Sequence, residues 1–192
     1  GHKMIVRRKG SYAWNTELDF RLDVDEFEEV YHQGRASNDT DMRIGCYRRA
    51  VGLYRGDFLP LYNMEPWAIS ISVYYHMMYI NLLQELIMLL SARNCYDEIV
   101  ELCRIAIEID PYEESLYYHQ IKALIDSGNQ QAALAQYERM KDLFYSKFGV
   151  TPSDSLQSLY REVVASTNSM QTDLNLIRSQ LKETAVRAGA FY

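Results

Sequence analysis

At 192 residues, 48% hydrophobic and 24% charged, with a net charge of −6, the chain has a globular rather than a disordered composition and the length for one core or two small ones. No apolar run reaches the length of a membrane span, since the longest candidate, residues 79–90, is broken by Asn81, Gln84 and Glu85. With no signal-peptide pattern either, a cytoplasmic protein is the expectation.

The chain opens on MIVRRKGSYAWN, residues 4–15, where a β-branched run, a basic Gly-containing turn and two aromatics make the chemistry of a β-hairpin. Lys3, Arg7, Arg8 and Lys9 precede the first acid, Glu17, and the remaining residues carry 16 basic against 26 acidic side chains. The acidic body repels phosphate backbones while the first residues attract them; a solvated surface turn, with Gly1 and His2 as tag residues, is the plainer alternative.

LDVDEFEEVYHQGRA then predicts a short amphipathic helix, with Asp23 and Glu26 spaced as a capping box and Val24, Phe27, Val30 and Tyr31 on one face. After SNDTD, a second helix carries Met42, Cys46, Ala50, Leu53 and Tyr54, and the two are expected to pair as a helical hairpin. Gly56, Pro60 and Pro66 forbid a continuous helix through YRGDFLPLYNMEP. From Trp67 to about Arg93 a long helix follows, apolar on more than one face through Ile71, Tyr74, Tyr75, Met78, Leu82, Leu86, Leu89 and Leu90. That breadth predicts a helix sandwiched between neighbours.

Beyond it the sequence repeats itself. A shift of 34 residues superposes Asn94 on Gly128, Ile99 on Ala133, Cys103 on Tyr137 and Ala106 on Met140, and this is the period of tetratricopeptide helix pairs. Ala133 suits the small position at which the second helix of a pair approaches the first, Tyr137 the larger groove-filling position, and Asp110-Pro111 the start of the next unit. Asp110, Pro111 and Glu113 predict one capped helix start, and Thr151, Pro152 and Asp154 another. Gly128 and Gly149 fall where helix ends need positive φ. The polar STNSMQTD, residues 166–173, reads as a linker leading to a helix with Leu174, Ile177 and Leu181.

Constellations for catalysis or metal binding fail on spacing. His2, His32, His76 and His119 lie far apart, with no HExxH pattern, and Gly-rich phosphate loops and GxSxG are missing. Cys46, Cys95 and Cys103 have no CxxC spacing and read as reduced buried thiols. Catalytic, cofactor and metal residues are therefore none, and an enzyme is not expected. Sixteen tyrosines on stacked helix pairs instead offer contact area for a peptide or protein partner.

AVGLYRGDFLP (residues 50–60), Trp67-Ala68, YDEIVELCRIAIEIDPYEESLYY (residues 96–118), ALAQYERMKDLF and FGVTPSDSLQSLY (residues 148–160) together resemble the bacterial transcriptional activator domain. That domain is the tetratricopeptide-like module of the antibiotic-regulatory-protein family of transcriptional regulators. The resemblance covers residues 24–164 and implies an all-α fold: a right-handed array of antiparallel helix pairs with a short N-terminal β-hairpin. It makes Gly56, Asp57, Trp67, Asp110, Pro111, Gly128, Ala133, Tyr137 and Pro152 motif residues of structural role.

In that family the module follows an OmpR-type winged-helix domain, and KGSYAWNTELDFRLDVDEF resembles the junction, with Gly10, Tyr12, Asp23, Asp25 and Phe27 in place. The resemblance implies that residues 1–22 are the last strands of a wing whose recognition helix is absent, 23–166 the activator domain, and 167–192 a linker and helix leading onward. Arg7, Arg8 and Lys9 would then touch DNA phosphates in the intact regulator. Promoter DNA, RNA polymerase or another protein, and a second copy are the expected partners, and a membrane is not. A stand-alone scaffold binding a peptide or protein is the alternative. The apolar stretch at residues 69–73 departs from the family, where charged residues commonly follow the tryptophan, and Ile99 and Cys103 replace its usual repeat residues.

Overall fold

Either side of Gly10, residues of strand-forming type pair as expected. In a computed structural model of the chain, which describes residues 5–8, 10–15 and 21–189, strands β1 (Ile5–Arg8) and β2 (Ser11–Trp14) run antiparallel, with Ile5 opposite Trp14 and Arg8 opposite Ser11. Gly10 turns the chain at φ 86°, a conformation that side chains with a Cβ resist. The rest of the described chain is helix and short connections, an all-α fold of tetratricopeptide-like helix pairs. Among the described residues no helix is long and apolar enough to cross a membrane.

The chain divides into two compact units, residues 1–86 and 87–192. In the first, α1 (Asp23–Ala36) and α2 (Thr40–Leu53) form the expected helical hairpin. Asp39 caps α2 through Oδ1, which accepts from the backbone N–H of Asp41 at 2.8 Å and of Met42 at 3.4 Å, a bond set worth about 1 kcal/mol. α1 buries Phe27, Val30, Tyr31 and Gly34, the expected face.

Three local expectations for this unit are corrected. Asp23 is not a cap: Leu22 takes that place with extended backbone, Asp23 is already helical, and Glu26 is drawn to the guanidinium of Arg49 rather than back to the helix start. The face of α2 is also rotated, for it buries Ile44, Tyr47 and Ala50 while Met42 is exposed. Apolar residues lie all round this helix, and the face that wins seats a bulky β-branched side chain and a tyrosine whose hydroxyl finds a carboxylate. Finally, α3 (Pro66–Ser91) is not enclosed along its length: Val73, Tyr74 and Met77 are about half exposed, whereas Tyr79, Leu82, Leu83 and Leu86 are buried.

Gly34 is where α1 meets α2 most closely. A Cβ there would lie 2.5 Å from Cε1 of Tyr47, whose ring is fully buried. Gly34→Ala is therefore expected to destabilise the chain by about 1–3 kcal/mol in urea titration, overpacking outweighing the gain in helix propensity.

In the second unit α3 ends and α4 (Tyr96–Ile109), α5 (Glu114–Asp126), α6 (Gln130–Phe148) and α7 (Asp154–Gly189) pack in succession. The 34-residue register holds in detail. Asn94 (φ 56°) and Gly128 (φ 83°) occupy the same step of the same helix ending: Cys95 N–H reaches the Leu90 carbonyl and Asn129 N–H the Leu124 carbonyl, both five residues back. Ile99, Cys103 and Ala106 of α4 and Ala133, Tyr137 and Met140 of α6 are all buried.

Two junctions and one linker differ from expectation. Pro111 does not open α5; Asp110 Oδ1 accepts from Tyr112 N–H at 3.0 Å, closing a turn, and Glu113 caps the helix by accepting from Ser115 N–H at 3.1 Å. Pro152 likewise lies two residues ahead of α7. The break expected at residues 166–173 is absent, because α7 continues through them to Gly189. Those residues are polar but include neither Gly nor Pro, so nothing in the backbone stops the helix.

Candidate functional site

The motif residues do not converge on one site. In the backbone register of the hairpin Arg7 pairs with Tyr12 and Arg8 with Ser11, next to the turn; Lys9 lies outside the described residues. Gly56 (φ 126°) opens the loop after α2, and Asp57 Oδ1 accepts from Ser72 Oγ at 3.2 Å, tying that loop to α3. Trp67 is half exposed, its ring 6.3 Å from that of Tyr62. Ala133 and Tyr137 lie in the core of the second unit, where Tyr137 stacks on Tyr160 with ring centres 4.2 Å apart.

The two capped junctions do meet. Glu114, at the start of α5, accepts from the backbone N–H of Ser153 at 2.7 Å, and the rings of Tyr112 and Phe148 meet edge to face at 5.0 Å. Pro111 offers its carbonyl to Tyr117 Oη at 2.9 Å, and buried Pro152 offers its own to Gln157 Nε2 at 2.7 Å. IDPYEE and GVTPS, which begin 40 residues apart in the sequence, are thus two sides of one packed corner. Their role is to hold α5, α6 and α7 together.

In the first unit the LYRGDFLP loop folds over α1 and α3 around a cavity of about 380 Å³ whose lining includes Val24, Phe27, Tyr54, Asp57, Phe58 and Tyr75. Leu59, a non-glycine residue at φ 47°, marks local strain in this loop. Burial, with the Glu28 carboxylate next in weight, pushes the Tyr75 hydroxyl up to about 12, so it stays a neutral donor. Tyr54 stacks on Tyr79 at 4.1 Å and its hydroxyl lies 3.4 Å from His76 Nδ1. His76 is therefore a hydrogen-bonded packing residue of this unit.

Sequence reasoning missed the polar centre of the unit. Glu85, on α3, receives the hydroxyl of Tyr47 and, at 3.3 Å, the guanidinium of Arg43, both from α2, while Arg35 of α1 stands 3.8 Å away. One carboxylate thereby joins three helices. Its partners lie 38, 42 and 50 residues away in sequence, beyond the reach of any local pattern.

Among the cysteines, Cys103 is fully buried and burial pushes its thiol up to about 12, while Cys46 and Cys95 are half-buried and all three are free. Since the thiolate is the reactive form, Cys103 should resist iodoacetamide at pH 8 in the native chain and react in urea, read by peptide mass spectrometry. Burial also lowers the pKa of His119, favouring the neutral ring.

The remaining feature is an apolar surface. Leu61 is 93% exposed and Met64 86%, ahead of α3, and Trp67, Val73, Tyr74 and Met77 continue the exposure along its first turns at 50–58%. The departure at residues 69–73 noted in the sequence lies within it.

Comparison with known proteins places this geometry. The family model for the bacterial transcriptional activator domain matches residues 22–164. A search of curated proteins found no match. Among solved structures, that of Mycobacterium tuberculosis EmbR in complex with a low affinity phosphopeptide is similar in fold, with a TM-score of 0.58 and 16% sequence identity over 85% of this chain. The chain spans 44% of the length of that protein.

Proposed function

The chain belongs to the bacterial transcriptional activator domain family, and on that premise we propose that it is the helical module of a cytoplasmic transcriptional regulator, serving dimerisation, contact with RNA polymerase or relay of a signal. The observation that carries the reading is the family match over residues 22–164, which spans both the LYRGDFLP loop and the packed corner of the two junctions. In the intact regulator a winged-helix domain holds promoter DNA, and the hairpin of β1 and β2 is the last part of its wing. Arg7, Arg8 and Lys9 then neutralise phosphates beside a groove, which positions the protein without reading bases.

The test is made on the intact regulator with Arg7, Arg8 and Lys9 replaced together by alanine. Binding should weaken about equally on all DNA sequences, and the slope of log K against log salt should flatten by up to about 3. An unchanged salt slope sinks the wing assignment. Loss confined to one operator would mean base reading instead.

A further inference from the structure

The exposed stripe of α3 is unusual in two respects besides its area. From Pro66 to Gln84 the sequence contains no Asp, Glu, Lys or Arg, in a chain that is 24% charged overall. The hydroxyl of Ser70, which lies within the stripe, donates to the carbonyl of Pro66 at 3.3 Å, so it asks nothing of a partner. We propose that this face pairs with itself in a second copy of the chain, α3 against α3 about a two-fold axis. The interface supplies the partner for the dimerisation proposed above and rests on that reading.

Area supports a second copy. The exposed parts of Leu61, Met64, Trp67, Val73, Tyr74 and Met77 amount to about 800 Å², more than the apolar patch of a typical monomer and the share each partner gives to a standard interface. Charge supports it too. A two-fold interface sets each patch on its own copy, so any charge near the axis meets its like. Two chains of net charge −6 repel over most of their surface, and the stripe, uncharged from Pro66 to Gln84 with exposed Glu65 at its edge, is a face on which they meet with little of that penalty. Ile69, Val73 and Met77 recur every four residues along one helical face. An axis through Val73 sets Ile69 of each copy against Met77 of the other, with the small Ser70 beside the crossing.

Sedimentation equilibrium of the chain tests this. At about 100 µM, above the micromolar affinity at the weak end for interfaces of this area, the mass should be twice 22.5 kDa. The double variant Val73→Glu, Met77→Glu brings four carboxylates together and should weaken the dimer at least about 100-fold. Both positions are more than half exposed, so its circular dichroism should stay that of the parent, while its thermal midpoint should lose the dependence on protein concentration that a dimer gives. Val73→Cys should give a disulfide-linked dimer on mild oxidation, whereas Ser146→Cys, exposed on α6, should not.

A monomer at that concentration overturns the interface, as does a dimer that tolerates both glutamates or fails to cross-link through position 73. None of these results touches the regulatory reading, which is judged by promoter binding of the intact protein.

Discussion

Replacing Met140 with alanine is expected to destabilise the chain by about 2–5 kcal/mol, measured as a fall in the urea midpoint without a change in slope. Met140 is fully buried on α6, in a core shared with Tyr117, Ile121, Ala133, Tyr137, Phe144 and Leu156. The loss combines the transfer of its side chain out of water with the cavity left behind, which close-packed neighbours fill only in part. Its counterpart one repeat earlier is already alanine: Ala106, also fully buried. Ala106→Met should then destabilise too, by about 1–3 kcal/mol through overpacking. If Met140→Ala proved neutral, the core of the second unit would be looser than its burial indicates.

The pair shows what a repeat reveals and what it conceals. Shifting the sequence by 34 residues superposes positions that are all buried, and it superposes Asn94 on Gly128 although only one of them is glycine. Both place positive φ at the same helix ending, which asparagine tolerates better than other side chains. Size runs differently in the two repeats: large early and small late on α4, with Ile99, Cys103 and Ala106, and the reverse on α6, with Ala133, Tyr137 and Met140. Periodicity reports which face is buried. Volume depends on the opposing helix, which lies elsewhere in the chain.

The same division explains the corrections. Helix existence follows from spacing within a few residues, and the α1 and α2 pair, the long α3 and the capped second unit were all legible. Caps were less so, because Asp110 and Glu113 each offer an oxygen to nearby N–H groups and the chain used the first for a turn and the second for the helix. The exposed stripe of α3 could not be separated from a sandwiched one, since an apolar residue looks alike in both; its missing charge was the visible sign. Glu85 gave no local sign at all.

Glu85→Ala is expected to cost about 2–4 kcal/mol, less than the loss of a wholly buried ion pair because the Glu85 side chain is 25% exposed and water relieves part of the penalty. The cost arises from the partners. Tyr47 is fully buried, so its hydroxyl would lose its carboxylate acceptor, and Arg43, whose Nε is already buried with no bond among the described residues, would lose its anion. Glu85→Gln keeps the shape and one acceptor oxygen, yet turns an amide toward a guanidinium, and should cost about half as much. A double-mutant cycle with Tyr47→Phe separates the hydroxyl bond from the charge: coupling of about 1–2 kcal/mol is expected, and additivity would mean the bond contributes nothing. The effect should extend to assembly. Glu85 fastens α3 to α2 about three turns along from Val73, so releasing it lets the exposed stripe tilt away from its helical support. Glu85→Ala should therefore weaken self-association of the chain even under conditions where it remains folded, whereas Met140→Ala, confined to the second unit, should not.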